Sequence, residues 1–313
     1  MIHGGGHLTL SRRAVRPRQT KFLLANGILP VSLDYRLCPQ VNVLDGAMTD
    51  VRDACIWAHE ELPQLMRSRG ITVDTSRYLV IGWSTGGTLA MTTAWTMRQA
   101  GLCGPTAILA FYCPVEYDPK EPMNMGQDHG HRTMSLGEIR RRLSTKPHIV
   151  SNETDTTKLG WVKLGDPRSE LVLALIKEDR GMSLLFNDDP LGGGGDVNQS
   201  GNNDDDSNNE FPYPDADRAV EFSPLAHLRR GDYCTPTYLV FGDCDEIAPF
   251  DKAVEFAHVM GQQGVRGGLL SVQGAKHIFD LDLAPGSEGW KLYIEPGYEF
   301  LLSELADAGG EDQ

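Results

Sequence analysis

The chain has 313 residues, 40% of them hydrophobic and 23% charged, with a formal net charge of −14. That length can bury a large core as one α/β domain with an inserted segment. The acidic balance argues against a nucleic-acid surface, which needs a basic excess. No apolar stretch approaches the roughly 20 residues of a membrane helix, and Met1-Ile2-His3 runs into glycines without a secretory leader, so a cytoplasmic protein is expected.

In chain order, a strand stub at Met1-Ile2 opens into His3-Gly4-Gly5-Gly6, a loop able to aim bare backbone N–H groups at a developing oxyanion. Arg12, Arg13, Arg16 and Arg18 follow and read as a solvated basic face, with a substrate phosphate as the competing reading. A helix is predicted over Pro17–Asn26 and a strand over Ile28–Leu33, ending at Asp34-Tyr35-Arg36. A long helix from about Asp45 to Ser68 carries Met48, Val51, Cys55, Ala58, Leu62 and Leu65 at helical spacing, bent or interrupted by Pro63. Strand Tyr78–Gly82, helix Thr88–Gln99 and strand Thr106–Tyr112 come next.

From about Pro114 to Ser223 the alternation stops, leaving helical pieces at Ser135–Leu143 and Arg168–Lys177 and no convincing strand. Nine acidic residues and no Lys or Arg lie between Asn187 and Asp217. With Gly192 to Gly195 and Asn202-Asn203-Asp204-Asp205-Asp206, this stretch is expected to be a disordered acidic loop near 187–210. A calcium loop is set aside because the EF-hand glycine and terminal glutamate are missing. Strand Thr237–Gly242, helix Lys252–Gln263, strand Gly268–Val272 and a helix near Gly289–Leu305 resume the alternation. The pattern is α/β, a mainly parallel sheet with helices on both faces. Residues 1–113 and 224–313 form the core and 114–223 an inserted helical lid.

The chemistry centres on Gly82-Trp83-Ser84-Thr85-Gly86, which puts a serine on a tight strand-to-helix turn. Such a serine needs a base, and the base an orienting acid, with both in loops at strand ends. The best acid is Asp245 in Gly242-Asp243-Cys244-Asp245-Glu246, with Asp243 and Glu246 as close competitors. The best base is His277 in Gly274-Ala275-Lys276-His277, and the intervening helix and strand bring both loops to one sheet edge. His3 reads as a shaper of the glycine loop. His129 and His131 lack a third ligand at useful spacing, so neither metal nor cofactor is expected. The six cysteines have no CxxC spacing and read as free thiols, with Cys244 treated as packing.

Together His3-Gly4-Gly5-Gly6, Asp34-Tyr35-Arg36-Leu37-Cys38-Pro39, Gly82-Trp83-Ser84-Thr85-Gly86-Gly87 and the Asp245 and His277 loops resemble the hormone-sensitive-lipase-like branch of the α/β-hydrolases. The resemblance implies Ser84 as nucleophile, His277 as general base and then acid, and Asp245 as its partner. It also implies backbone N–H groups of Gly5, Gly6 and Thr85 as oxyanion donors, and a structural role for Asp34-Tyr35-Arg36. That family carries strands ahead of its glycine loop, so an N-terminally truncated sheet with an exposed edge and a loosely anchored loop is expected. More narrowly, Gly165-Asp166-Pro167-Arg168-Ser169-Glu170-Leu171 and His3 to Ser11 are similar to thioesterase-type release domains of fungal non-reducing polyketide synthases. This likeness implies an ester or acyl-thioester substrate, delivered by an acyl-carrier protein. A generic carboxylesterase acting on small esters, and a non-catalytic or inactive truncated hydrolase-fold protein, remain as alternatives.

Overall fold

The computed structural model describes residues 1–120, 135–143, 167–177, 180–191 and 211–310. Four strands form a parallel sheet, β1 (Leu79–Trp83), β2 (Ala107–Phe111), β3 (Thr237–Gly242) and β4 (Gly267–Val272), in that spatial order. β2 is buried along its whole length and β1 along most of it. Burial on both faces is why these strands read as unbroken apolar runs rather than as an alternation. Beyond β1, Ile2 bridges Gly82 and Leu33 in parallel. The strand expected over Ile28–Leu33 is reduced to that one bridge. Pro30 has no N–H to offer a ladder, and only Leu33 keeps strand pairing.

The helices, in chain order, begin with α1 (Pro17–Ala25). A π-helical turn (Leu44–Met48) leads into α2 (Thr49–Glu60), followed by α3 (Leu62–Arg67). The single helix expected here breaks at Glu61, and Pro63 sits in the first turn of α3, where no helical partner awaits its missing N–H. α4 (Thr85–Gln99) starts three residues earlier than its periodicity suggests and is buried from Thr85 to Met97. The sheet covers it on one side and α2 packs against it elsewhere. Four of the five threonines in this buried helix have satisfied hydroxyls. Thr88 donates to Pro114 O, and Thr92, Thr93 and Thr96 donate back into their own helix.

The described residues between 114 and 223 hold only helices: α5 (Leu136–Leu143), α6 (Pro167–Lys177), α7 (Ser183–Phe186) and α8 (Ala216–Phe222). α9 (Pro224–Arg230) follows directly. α8 was not foreseen, although its Asp215 cap accepts from the N–H groups of Asp217 and Arg218 and was open to recognition. After β3 come α10 (Phe250–Gln262) and, after β4, α11 (Glu288–Tyr293) and α12 (Glu295–Gly310). The last predicted helix is thus two, with Pro296 in the first turn of the second. Gly87 of α4 lies against Ala110, and Gly297 of α12 against Leu109. Adjacent residues of one strand face opposite sides of a sheet, so the two helices cover opposite faces.

Candidate active site

Parallel strands present their carboxyl ends along one edge, and this edge gathers the sequence-selected residues. Ser84 follows β1 with φ 53° and ψ −135°, a conformation costing about 1–3 kcal/mol for a residue with a Cβ. Its N–H donates to Phe111 O at 2.9 Å, and its carbonyl accepts from the Gly87 N–H at 2.7 Å. The flanking glycines answer to close approach. A Cβ on Gly82 would sit 2.0 Å from Gly86 O, and one on Gly86 would sit 2.3 Å from His3 O.

Beyond β3, Asp245 Oδ1 accepts from the N–H groups of Ile247 and Ala248 at 2.8 and 3.0 Å. Its other oxygen, Oδ2, lies 2.8 Å from His277 Nδ1. His277, in the loop after β4, places Nε2 3.0 Å from Ser84 Oγ. Since a carboxylate only accepts, Nδ1 carries the ring hydrogen and Nε2 presents a lone pair to the serine hydroxyl. The Asp245 side chain is fully buried and that of His277 nearly so. The rival carboxylates are engaged elsewhere: Asp243 accepts from the Gly274 N–H, and Glu246 pairs with Lys276.

The glycine loop abuts this row. A Cβ on Gly4 would meet Trp83 O at 2.7 Å and Ser84 Cβ at 2.9 Å. Gly5 and Gly6 take φ 103° and 65°. Among the described residues, the N–H groups of Gly5, Gly6 and Thr85 have no hydrogen-bond partner. Thr85 also opens α4, whose N-terminus favours negative charge.

The loose anchoring expected for this loop is corrected by the structure. Ile2 N–H donates to Ile81 O at 2.8 Å. The Tyr35 hydroxyl donates to His3 O at 2.9 Å, and its ring stacks on His3 at 4.3 Å. His3 Nδ1–H in turn donates to Gly4 O at 2.8 Å. Arg168 of α6 donates from Nη1 to both Leu8 O and Cys38 O at 2.8 Å. Val172 and Leu175 of α6 line the space beside Gly6. Burial pushes the His3 imidazole down to about 4 and that of His7 down to about 3, so both are neutral at physiological pH.

Two further expectations change. The basic cluster divides: Arg12, Arg13 and Arg18 are exposed, as a solvated face requires, while Arg16 turns inward onto Asp280 and Tyr112. Long-range pairing, invisible in local sequence, consumes the Arg16 charge. Cys244 is exposed rather than packed, because the turn after β3 directs it away from the core. Its thiol is pushed up by its hydrogen bond to Asp243. His129, His131, Gly165, Asp166 and most of the acidic run lie outside the described residues. Among the described residues, no group of three or more His, Cys, Asp or Glu could hold a metal, and no helix is long and apolar enough to cross a membrane.

A cavity of about 560 Å³ adjoins Asp245, lined by Tyr117, Met182, Ile247, Phe250 and charged residues including Lys120 and Lys252. It lies on the acid's side of the row. Sequence reading also passed over Tyr112 and Asp280. The ring of Tyr112 meets His277 edge-on at 4.7 Å, and its hydroxyl donates to Asp280 at 2.6 Å. An aspartate set between the apolar pair Ile278-Phe279 and Leu281 was the available signal.

Comparison with known proteins agrees with this architecture. Residues 1–148 match the family described as alpha/beta hydrolase fold. The chain is 62% identical over 98% of its length to a non-reducing polyketide synthase of Acremonium egyptiacum, and 56% identical over 98% to one of Stachybotrys bisbyi. It spans only 14% and 13% of those two proteins. Among solved structures, an alpha/beta hydrolase superfamily protein from Enterococcus faecalis overlays with a TM-score of 0.59 at 15% identity, covering 96% of this chain and 88% of that one. A thermophilic esterase from Thermogutta terrifontis gives 0.54 at 18% identity, covering 96% and 79%. Four parallel strands, the serine turn and these matches lead to one conclusion: the chain has the α/β-hydrolase fold and is homologous to a stretch of fungal non-reducing polyketide synthases.

Proposed function

We propose that the chain is a serine hydrolase that cleaves an acyl ester or thioester through an acyl-Ser84 intermediate. The observation that carries the reading is the continuous chain Ser84 Oγ to His277 Nε2 at 3.0 Å and His277 Nδ1 to Asp245 Oδ2 at 2.8 Å. As Ser84 Oγ attacks the carbonyl carbon, Nε2 takes its proton and Asp245 stabilises the resulting imidazolium. The carbonyl oxygen becomes an oxyanion received by the N–H groups of Gly5, Gly6 and Thr85. His277 then protonates the departing alkoxide or thiolate. Water, or a hydroxyl of the acyl chain itself, repeats the sequence in reverse order and frees Ser84.

The homology to polyketide synthases supports a finer version, in which the acyl group is a polyketide held as a thioester on a carrier protein. In this reading residues 114–223 act as the lid over the acyl group. A fluorophosphonate probe should label the folded protein at Ser84 and leave Ser84→Ala unlabelled, with turnover of the variant down at least ~1,000-fold. A folded protein that ignores the probe overturns the hydrolase reading. Turnover of p-nitrophenyl acetate without release of a carrier-bound aromatic polyketide overturns only the finer one, in favour of a carboxylesterase.

A further inference from the structure

Behind His277 lies a buried polar cluster that the acyl-transfer steps do not use. Asp280, three residues past His277, has a side chain with no exposure, as expected of a charge only where it is paired. Its Oδ2 accepts from Arg16 Nε and Gln19 Nε2, each at 2.9 Å, and its Oδ1 from the Tyr112 hydroxyl at 2.6 Å. Arg16 Nη2 donates to that same hydroxyl at 2.6 Å, closing a ring of hydrogen bonds among three side chains. Tyr298 extends it by donating to Gln19 Oε1 at 3.0 Å.

The cluster joins three segments, two of which lead to or from parts of the site. Arg16 and Gln19 belong to the stretch leading out of the glycine loop. Tyr112 directly follows β2, with φ 38° and its N–H on Val240 O at 2.8 Å. Asp280 ends the His277 loop. The Tyr112 ring stands edge-on to the His277 imidazole, and Phe279 also meets the Tyr112 ring in an edge contact at 5.7 Å. A buried ion pair adds little net stability over apolar packing of the same volume, while its directional bonds fix geometry. That weighs toward positioning as its use.

We propose that Tyr112, Asp280 and Arg16 are positioning residues for His277, clamping the base loop to the segment that carries the glycine loop. The proposal rests on the serine-hydrolase reading above. Tyr112 acts through its ring, and the Arg16–Asp280 pair acts by holding that ring.

The decisive variant is Tyr112→Phe, which keeps the ring and removes one oxygen. With a p-nitrophenyl ester, its kcat should fall about 10-fold while KM stays within about twofold, since only His277 alignment is disturbed. Asp280→Asn should lose more, and Arg16→Lys should retain more activity than Arg16→Gln because charge is kept. Wild-type kcat and KM in Tyr112→Phe, with only a lowered Tm, would overturn the positioning role while leaving the hydrolase reading intact. Wild-type protein that the fluorophosphonate fails to label would overturn both.

Discussion

The row Ser84, Asp245 and His277 and the glycine loop Gly4 to Gly6 meet at one edge of the sheet but are held there differently. The three side chains leave β1, β3 and β4, whose ladders fix their starting points to within the geometry of a parallel sheet. The loop has a single bridged residue, Ile2, behind it. Apart from the Cys38 N–H on His7 O, its remaining support comes chiefly from side chains far along the chain, Tyr35 and Arg168. Backbone ladders survive most side-chain changes, whereas a loop hung on side chains depends on each of them. The oxyanion side of the site is therefore its fragile side.

Arg168→Met tests that contrast most severely. It strips the donor from Leu8 O and Cys38 O, both buried, and each orphaned acceptor costs about 1–3 kcal/mol. Urea unfolding should show stability lower by ~2–5 kcal/mol. The kcat of the folded fraction should drop about 10-fold with little change in KM, as expected for a loop acting on the transition state. An unchanged kcat in a destabilised variant would mean that the ladder alone holds the loop.

The pH dependence of stability provides the next test. His3 and His7 stay neutral in the fold down to about 4 and about 3, against 6.5 in the unfolded chain, burial being the leading cause. Below pH 6.5 the unfolded state therefore binds more protons than the native one. The stability they confer is complete above pH 6.5 and is lost progressively as pH falls from there to about 4 for His3 and about 3 for His7. Each should contribute a loss of about 2 kcal/mol on going from pH 7.5 to 5, measured by urea unfolding, and His3→Gln should remove part of that slope. A flat profile would show these imidazoles taking up protons in place, and hence a loop more open than its contacts imply.

The smallest effect is expected from Glu246→Gln. Its partner Lys276 is well exposed, and such pairs contribute about 0–1 kcal/mol. Activity should stay within about twofold of wild type, whereas Asp245→Asn should lose at least ~100-fold by destroying the acceptor that sets the His277 tautomer. Equal losses from both would shift the orienting role away from Asp245.

Much of this molecule is legible locally because its signals are local. Buried parallel strands announce themselves as apolar runs, and β3 spans Thr237–Gly242 as the pattern predicts. Gly82 records a close approach to Gly86 O inside the same turn, so local spacing helps pick it out, although Gly86 itself answers to His3. Asp245 and His277 were found because each follows a strand directly, which ties side-chain position to chain position.

Tertiary structure decided whatever depends on a partner distant in sequence. Spacing favours Asp245, but only the fold sets Asp243 and Glu246 aside at His277, since all three carboxylates share one short loop. Only the fold turns Arg16 from one of four clustered basic residues into the counter-ion of Asp280, 264 positions away. Only the fold anchors the glycine loop through Tyr35 and Arg168. Sequence determined which backbone turns and strands could form, because those are settled by neighbours along the chain. Burial and pairing settled which charges are structural and which face the reacting serine, because electrostatics follows distance in space.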